Sequence, residues 1–113
     1  MSTIYHNPRC RKSRETLQLL EANGQQPEII LYLEHPPTAS ELEGLLDKLG
    51  IAPMDLIRKG EAIWKENYKG KTLSDKELVA AMVAHPKLIE RPIVVNGNKA
   101  ALGRPPEQVL SIF

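Results

Sequence analysis

One cysteine, Cys10, is all the thiol this sequence has. A lone cysteine excludes an intramolecular disulfide framework and a multi-cysteine zinc cage. No apolar stretch approaches the ~18 residues needed to span a bilayer. The opening Met1-Ser2-Thr3-Ile4-Tyr5 has neither the basic start nor the apolar run of a secretory signal. Formal net charge is only +1, so nothing pulls the whole molecule toward nucleic acid or an anionic membrane. Any affinity for anions must therefore be local. His6, His35 and His85 are scattered, with no carboxylate–histidine cluster, so no metal site is expected. Neither an internal repeat nor a low-complexity segment is present. Together these absences point to a cytoplasmic chain, where a single thiol stays reduced and available.

What is there reads as one domain over residues 1–113, with ordinary globular composition: 42% hydrophobic and 26% charged. Thr3 to Tyr5 is a β-prone run that ends at the Asn7-Pro8 turn. A helix follows from Cys10 to Ala22, with Leu17, Leu19, Leu20 and Ala22 as its apolar positions and Asn23-Gly24 as its stop. Glu28 to Leu33 is short and rich in Ile and Leu, which predicts a buried strand. Strand, helix, strand makes a right-handed βαβ unit with parallel strands.

After Pro36-Pro37, Thr38 and Glu41 form a capping-box pattern, and Leu42, Leu45, Leu46 and Leu49 supply the buried stripe of a helix that stops at Gly50. Pro53 to Lys59 reads as a short helix, and polar Gly60 to Thr72 as irregular structure in which Trp64 and Tyr68 either anchor a loop on the core or form part of a lid or partner face. Ser74 and Glu77 make a second capping box. Asn96-Gly97-Asn98 between Pro92–Val95 and Lys99–Leu102 is a strong hairpin signal. Gly103-Arg104-Pro105 then turns the chain into a last helix with Pro105 in its first turn. The expected fold is α/β: βαβ, a helical insertion, then ββα, around a mixed sheet of about four strands.

The chemistry gathers at the first turn. Cys10 sits where a strand and a proline turn meet the start of a helix, whose unpaired N–H groups and dipole favour a sulfur anion. Arg9, Arg11, Lys12 and Arg14 surround it in sequence. Both effects lower the thiol pKa, and thiolate is the attacking species. The same geometry binds phosphate-like oxyanions. Ser13 stands where a second cysteine would complete Cys-x-x-Cys, so an oxidised Cys10 has to be resolved by an external thiol. Ser13 is also placed to donate its hydroxyl to the sulfur.

The segment Tyr5-His6-Asn7-Pro8-Arg9-Cys10-Arg11-Lys12-Ser13-Arg14 resembles the active-site loop of the arsenate reductases of the ArsC type, which are coupled to glutathione and glutaredoxin. The resemblance continues through Tyr32–Thr38, Leu56–Lys59, His85–Ile89, Arg91–Val95 and Gly103–Pro105. It implies a thioredoxin-like fold with a helical insertion, and a cis-proline at Pro92. It further implies that Cys10 is the nucleophile and that Arg58, Arg91 and Arg104 bind the oxyanion and steady the charged intermediates. His6 and Ser13 belong to the same substrate-binding set and tune the thiolate. Arsenate would be reduced to arsenite through a cysteine–arsenate adduct, with glutathione as co-substrate, glutaredoxin as partner and no bound cofactor, in a monomer. Arg9, Arg11 and Lys12 depart from the small polar residues usual in this loop, which could shift substrate preference or favour an anionic thiol partner. Two alternatives share the scaffold. One is a glutathione-dependent thiol transferase or reductase of another oxyanion; the other is an Spx-type regulator that binds RNA polymerase.

Overall fold

Alternation along β1 (Ser2–His6) buries Ser2, Ile4 and His6 on one face of the strand. That face receives helix α1 (Arg11–Ala22), which turns Ser13, Thr16 and Leu20 inward. The computed structural model describes residues 2–113, and the chain divides into two compact units. The first runs to His35 and resumes over Arg91–Phe113; the second is Pro36–Glu90.

The first unit is built on a four-stranded mixed sheet in the order β2-β1-β3-β4, with β2 spanning Glu28–Leu31, β3 Ile93–Asn96 and β4 Lys99–Leu102. β1 pairs parallel with β2 and antiparallel with β3, and β3 pairs antiparallel with β4. This is the expected thioredoxin-like α/β arrangement. Ile4 lies opposite Val94 across the β1–β3 ladder, and both join Leu20 and Val109 in a fully buried cluster. Gly97, at φ +62°, makes the hairpin turn between β3 and β4.

Three local expectations are corrected here. β2 is shorter than Glu28–Leu33 and is not buried: it is an edge strand with β1 as its one neighbour, and Ile29 keeps 47% of its surface. The inward face of α1 is only partly apolar, since Ser13 and Thr16 are fully buried while Ala22 is exposed. The last helix is a 3₁₀ helix over Pro106–Ile112, with Pro105 one position ahead of it. Pro106, Val109 and Ile112 recur every third residue, which matches three residues per turn and puts all three on one side.

The second unit is helical. Both capping boxes form: Thr38 with Glu41 opens α2 (Ala39–Leu49), and Ser74 with Glu77 opens α5 (Asp75–Ala84). Gly50, at φ +69°, closes α2 in the left-handed conformation that glycine adopts without strain. α3 covers only Pro53–Leu56, because Ile57 turns extended and bridges to Ile89. The stretch read as irregular contains α4 (Ala62–Asn67), whose buried Trp64 stacks on Tyr68 at 5.6 Å. No helix among the described residues is long and apolar enough to cross a membrane.

Candidate active site

The turn Asn7-Pro8-Arg9 is closed by Cys10 N–H donating to the Asn7 carbonyl at 3.0 Å, while Arg9 N–H donates to Asn7 Oδ1. Cys10 is the N-cap of α1, in extended conformation, and its own carbonyl accepts from Arg14 N–H at 3.0 Å. The first helical N–H groups therefore begin just past the sulfur, as the sequence led us to expect.

β1 and α1 each bury a polar residue at the end of their inward faces, and the two meet. His6 Nδ1 and Ser13 Oγ are 2.6 Å apart, and Asn7 N–H also donates to Ser13 Oγ at 3.0 Å. The Ser13 hydroxyl is thus engaged behind the loop, whereas the Ser13 backbone N–H is the group that favours the sulfur anion. Ser13 is fully buried and His6 nearly so. Ser13 Oγ faces His6 and the Asn7 backbone, which holds the loop in place, while His6 also lines the cavity beside the loop. Burial, and secondly the charge of Arg14, hold the His6 pKa below its ordinary value, keeping the ring neutral.

Cys10 is 7% exposed, and this desolvation pushes its thiol upward. The opposing influences win. They are the Ser13 N–H, the Arg91 guanidinium, the Lys12 N–H and the Arg104 guanidinium, and together they bring the pKa below that of an ordinary thiol. Arg104 Nη2 points at Cys10 Sγ from 3.9 Å, with its Nε anchored by the Arg91 carbonyl at 2.9 Å. That anchor fixes the guanidinium fork and turns one edge toward the sulfur.

The source of positive charge differs from the sequence reading. Of the four neighbouring cations, Arg11 is 85% exposed and paired with Glu15 at 2.9 Å. Arg14 Nη1 donates to the Pro8 carbonyl at 2.9 Å and acts on His6. Lys12 contributes through its backbone N–H. The side chains that address the thiolate come instead from the far end of the sequence.

Their placement depends on close packing. The Arg91–Pro92 bond is cis, as expected, and so is Arg104–Pro105. Gly103 N–H donates to the Pro92 carbonyl at 3.0 Å. A Cβ built on Gly103 would collide with Thr16 Oγ1 and lie 2.6 Å from Pro92 Cγ. Only glycine lets β4, the Pro92 turn and α1 meet this closely. Thr16 and the Arg91 carbonyl were not singled out from sequence.

Arg58, the third arginine of the expected set, belongs to the second unit. There it pairs with Glu61 at 2.9 Å and with Glu90 at 3.6 Å. Among the described residues no three His, Cys, Asp or Glu side chains cluster to hold a metal ion.

Residues 5–112 match the ArsC family. An arsenate reductase of Haemophilus influenzae is 50% identical over 112 residues, covering 97% of this chain and 97% of its own. An uncharacterized protein of Escherichia coli K12, YfgD, is 56% identical over 111 residues, covering 96% of this chain and 93% of its own. The solved structure of an arsenate reductase from Vibrio cholerae superposes with a TM-score of 0.96 at 53% identity, over 99% of this chain and 97% of that one. With nearly the whole sequence matched and the same fold in the solved relative, this chain belongs to the ArsC family.

Proposed function

We propose that this protein is an arsenate reductase that uses glutathione and glutaredoxin in a reducing cytosol. The observation that carries the reading is the Cys10 sulfur at the start of α1 with the Arg104 guanidinium 3.9 Å away. Such a sulfur is biased toward thiolate and stands beside donors suited to a tetrahedral oxyanion.

In the proposed cycle arsenate is held by the helix N-terminus with Arg91 and Arg104, which spread its negative charge over N–H donors. Cys10 attacks arsenic, an oxygen leaves as water, and a cysteine–arsenate adduct remains. Glutathione then attacks the adduct, and glutaredoxin removes the glutathionyl sulfur. Two thiols supply two electrons and leave joined as a disulfide, so arsenate plus two thiols gives arsenite, one disulfide and water. Cys10 returns as thiolate. His6 and Ser13 hold the loop in register behind the nucleophile. Arg58 is assigned the third oxyanion contact on the resemblance to the family, and Arg58→Ala should raise the KM for arsenate.

Purified protein supplied with arsenate, glutathione and glutaredoxin should produce arsenite, and Cys10→Ser should abolish it. Equal activity of the two proteins sinks the mechanism. A wild-type protein that forms a Cys10–glutathione disulfide without turning over arsenate would instead be a thiol transferase.

A further inference from the structure

A cavity of about 290 Å³ opens beside the Cys10 loop, between the ends of β1 and β2. His6, Asn7, Pro8 and Arg9, the residues that lead into Cys10, line it. Leu31 and Leu33 add apolar lining, and Glu34 adds a carboxylate. The volume lies at the lower limit of small-molecule pockets, too small for a nucleotide cofactor and suited to a short peptide.

Arg9 and Glu34 put opposite charges on one small cavity. Among the described residues neither side chain is held in an ion pair, and both are exposed. A bare oxyanion would gain from Arg9 and be repelled by Glu34. A zwitterion satisfies both. Arg9 is also one of the basic residues that depart from the usual loop, and its side chain is not among the groups that lower the Cys10 pKa.

We propose that this cavity docks the thiol co-substrate, a γ-glutamyl tripeptide thiol of the glutathione class, an assignment that rests on the thiol-dependent reading above. Arg9 takes one carboxylate and Glu34 the ammonium. Leu31 and Leu33 pack on the methylenes between them, and the peptide thiol is delivered alongside the loop that carries Cys10. The extra positive charge at Arg9 thereby serves the reductant and not the oxyanion.

The test is binding without chemistry. Cys10→Ser protein, labelled with ¹⁵N, is titrated with S-methylglutathione, whose sulfur cannot react. Saturable amide shifts are expected at Asn7, Arg9, Leu33 and Glu34. Arg9→Gln and Glu34→Gln should each weaken the dissociation constant about two- to fivefold, the scale of one exposed ion pair. S-methylcysteine, which lacks the separated charges, should not saturate the same amides. Shifts centred elsewhere, insensitivity to both substitutions, or equal binding of S-methylcysteine would each overturn the assignment. Binding as expected in a protein that fails to reduce arsenate would uphold the docking site and remove arsenate as the oxidant, so the two readings fail separately.

Discussion

Replacing Gly103 by alanine adds one methyl group and should destabilise the protein, although the backbone there is not in the left-handed region. At a permissive position the same change usually stabilises by about 0.4–1 kcal/mol, by restricting the unfolded chain. Here the new Cβ would run into Thr16 Oγ1 and come within 2.6 Å of Pro92 Cγ and 3.1 Å of Pro92 Cδ. Thr16 is fully buried in α1, and the Pro92 ring is pinned by the bond from Gly103 N–H to its carbonyl. Neither neighbour is the far end of a flexible side chain, so the backbone has to move. Overpacking of this kind costs about 1–3 kcal/mol. Each kcal/mol lowers Tm by about 4–8 °C in a domain of this size. Gly44 supplies the control: it lies inside α2 with nothing within 4 Å of a built Cβ, and Gly44→Ala should gain about 0.5–1 kcal/mol. Urea and thermal unfolding of the two variants should thus move in opposite directions. Thr16→Ala combined with Gly103→Ala should lose less than the two single changes added together, because the first removes one colliding atom. A Gly103→Ala protein as stable as wild type would refute the close-packing account of how Arg104 is placed.

Three further outcomes follow from the site and the helix ends. Arg104→Ala and Arg91→Ala each remove a cation that favours the sulfur anion, so the pH profile of Cys10 alkylation by iodoacetamide should move to higher pH, whereas Arg11→Ala should leave it in place. The His6 pKa is depressed in the folded protein, chiefly by burial, so the unfolded chain binds this proton more readily. Its stability contribution is present above the ordinary histidine pKa and is lost as pH falls toward the depressed value. Urea unfolding between pH 7.5 and 5.5 should show that loss in wild type and less of it in His6→Asn, and identical slopes would refute it. Thr38→Ala removes the hydroxyl that accepts Glu41 N–H at the start of α2 and should cost about 1 kcal/mol by chemical denaturation.

The devices legible in the sequence are those whose cause is local. Thr38 with Glu41 and Ser74 with Glu77 cap helices because the partner groups lie within one turn, and both boxes are present. Gly97 closes the hairpin because its own φ is positive. Cys10 leads α1 for the same kind of reason, since the proline turn and the first helical residues adjoin it. Features set by distant packing were misread or missed. The apolar content of Glu28–Leu33 suggested burial, but strand order decides burial, and β2 falls at the edge. Apolar periodicity ranked Leu19 and Ala22 above Ser13 and Thr16, yet the latter pair is what α1 turns inward, one toward His6 and the other toward Gly103.

The electrostatics of the thiolate make the same division sharper. Four cations adjacent in sequence offered a ready explanation for a lowered thiol pKa, but a charge next along the chain is not a charge next to the sulfur. On a helix start the side chains of Arg11 and Arg14 radiate to solvent, to Glu15 and to the Pro8 carbonyl. Arg104, 94 residues away, reaches the sulfur because β3 and β4 bring its backbone beside α1 and the Arg91 carbonyl aims its fork. The inward stripe of α1 therefore does two jobs at its N-terminal end: Ser13 sets the loop that carries the nucleophile, and Thr16 sets how closely the arginine-bearing turn can approach. A substitution at Thr16 or Gly103 that leaves every charge in place should on this account still change Cys10 reactivity, through distance alone.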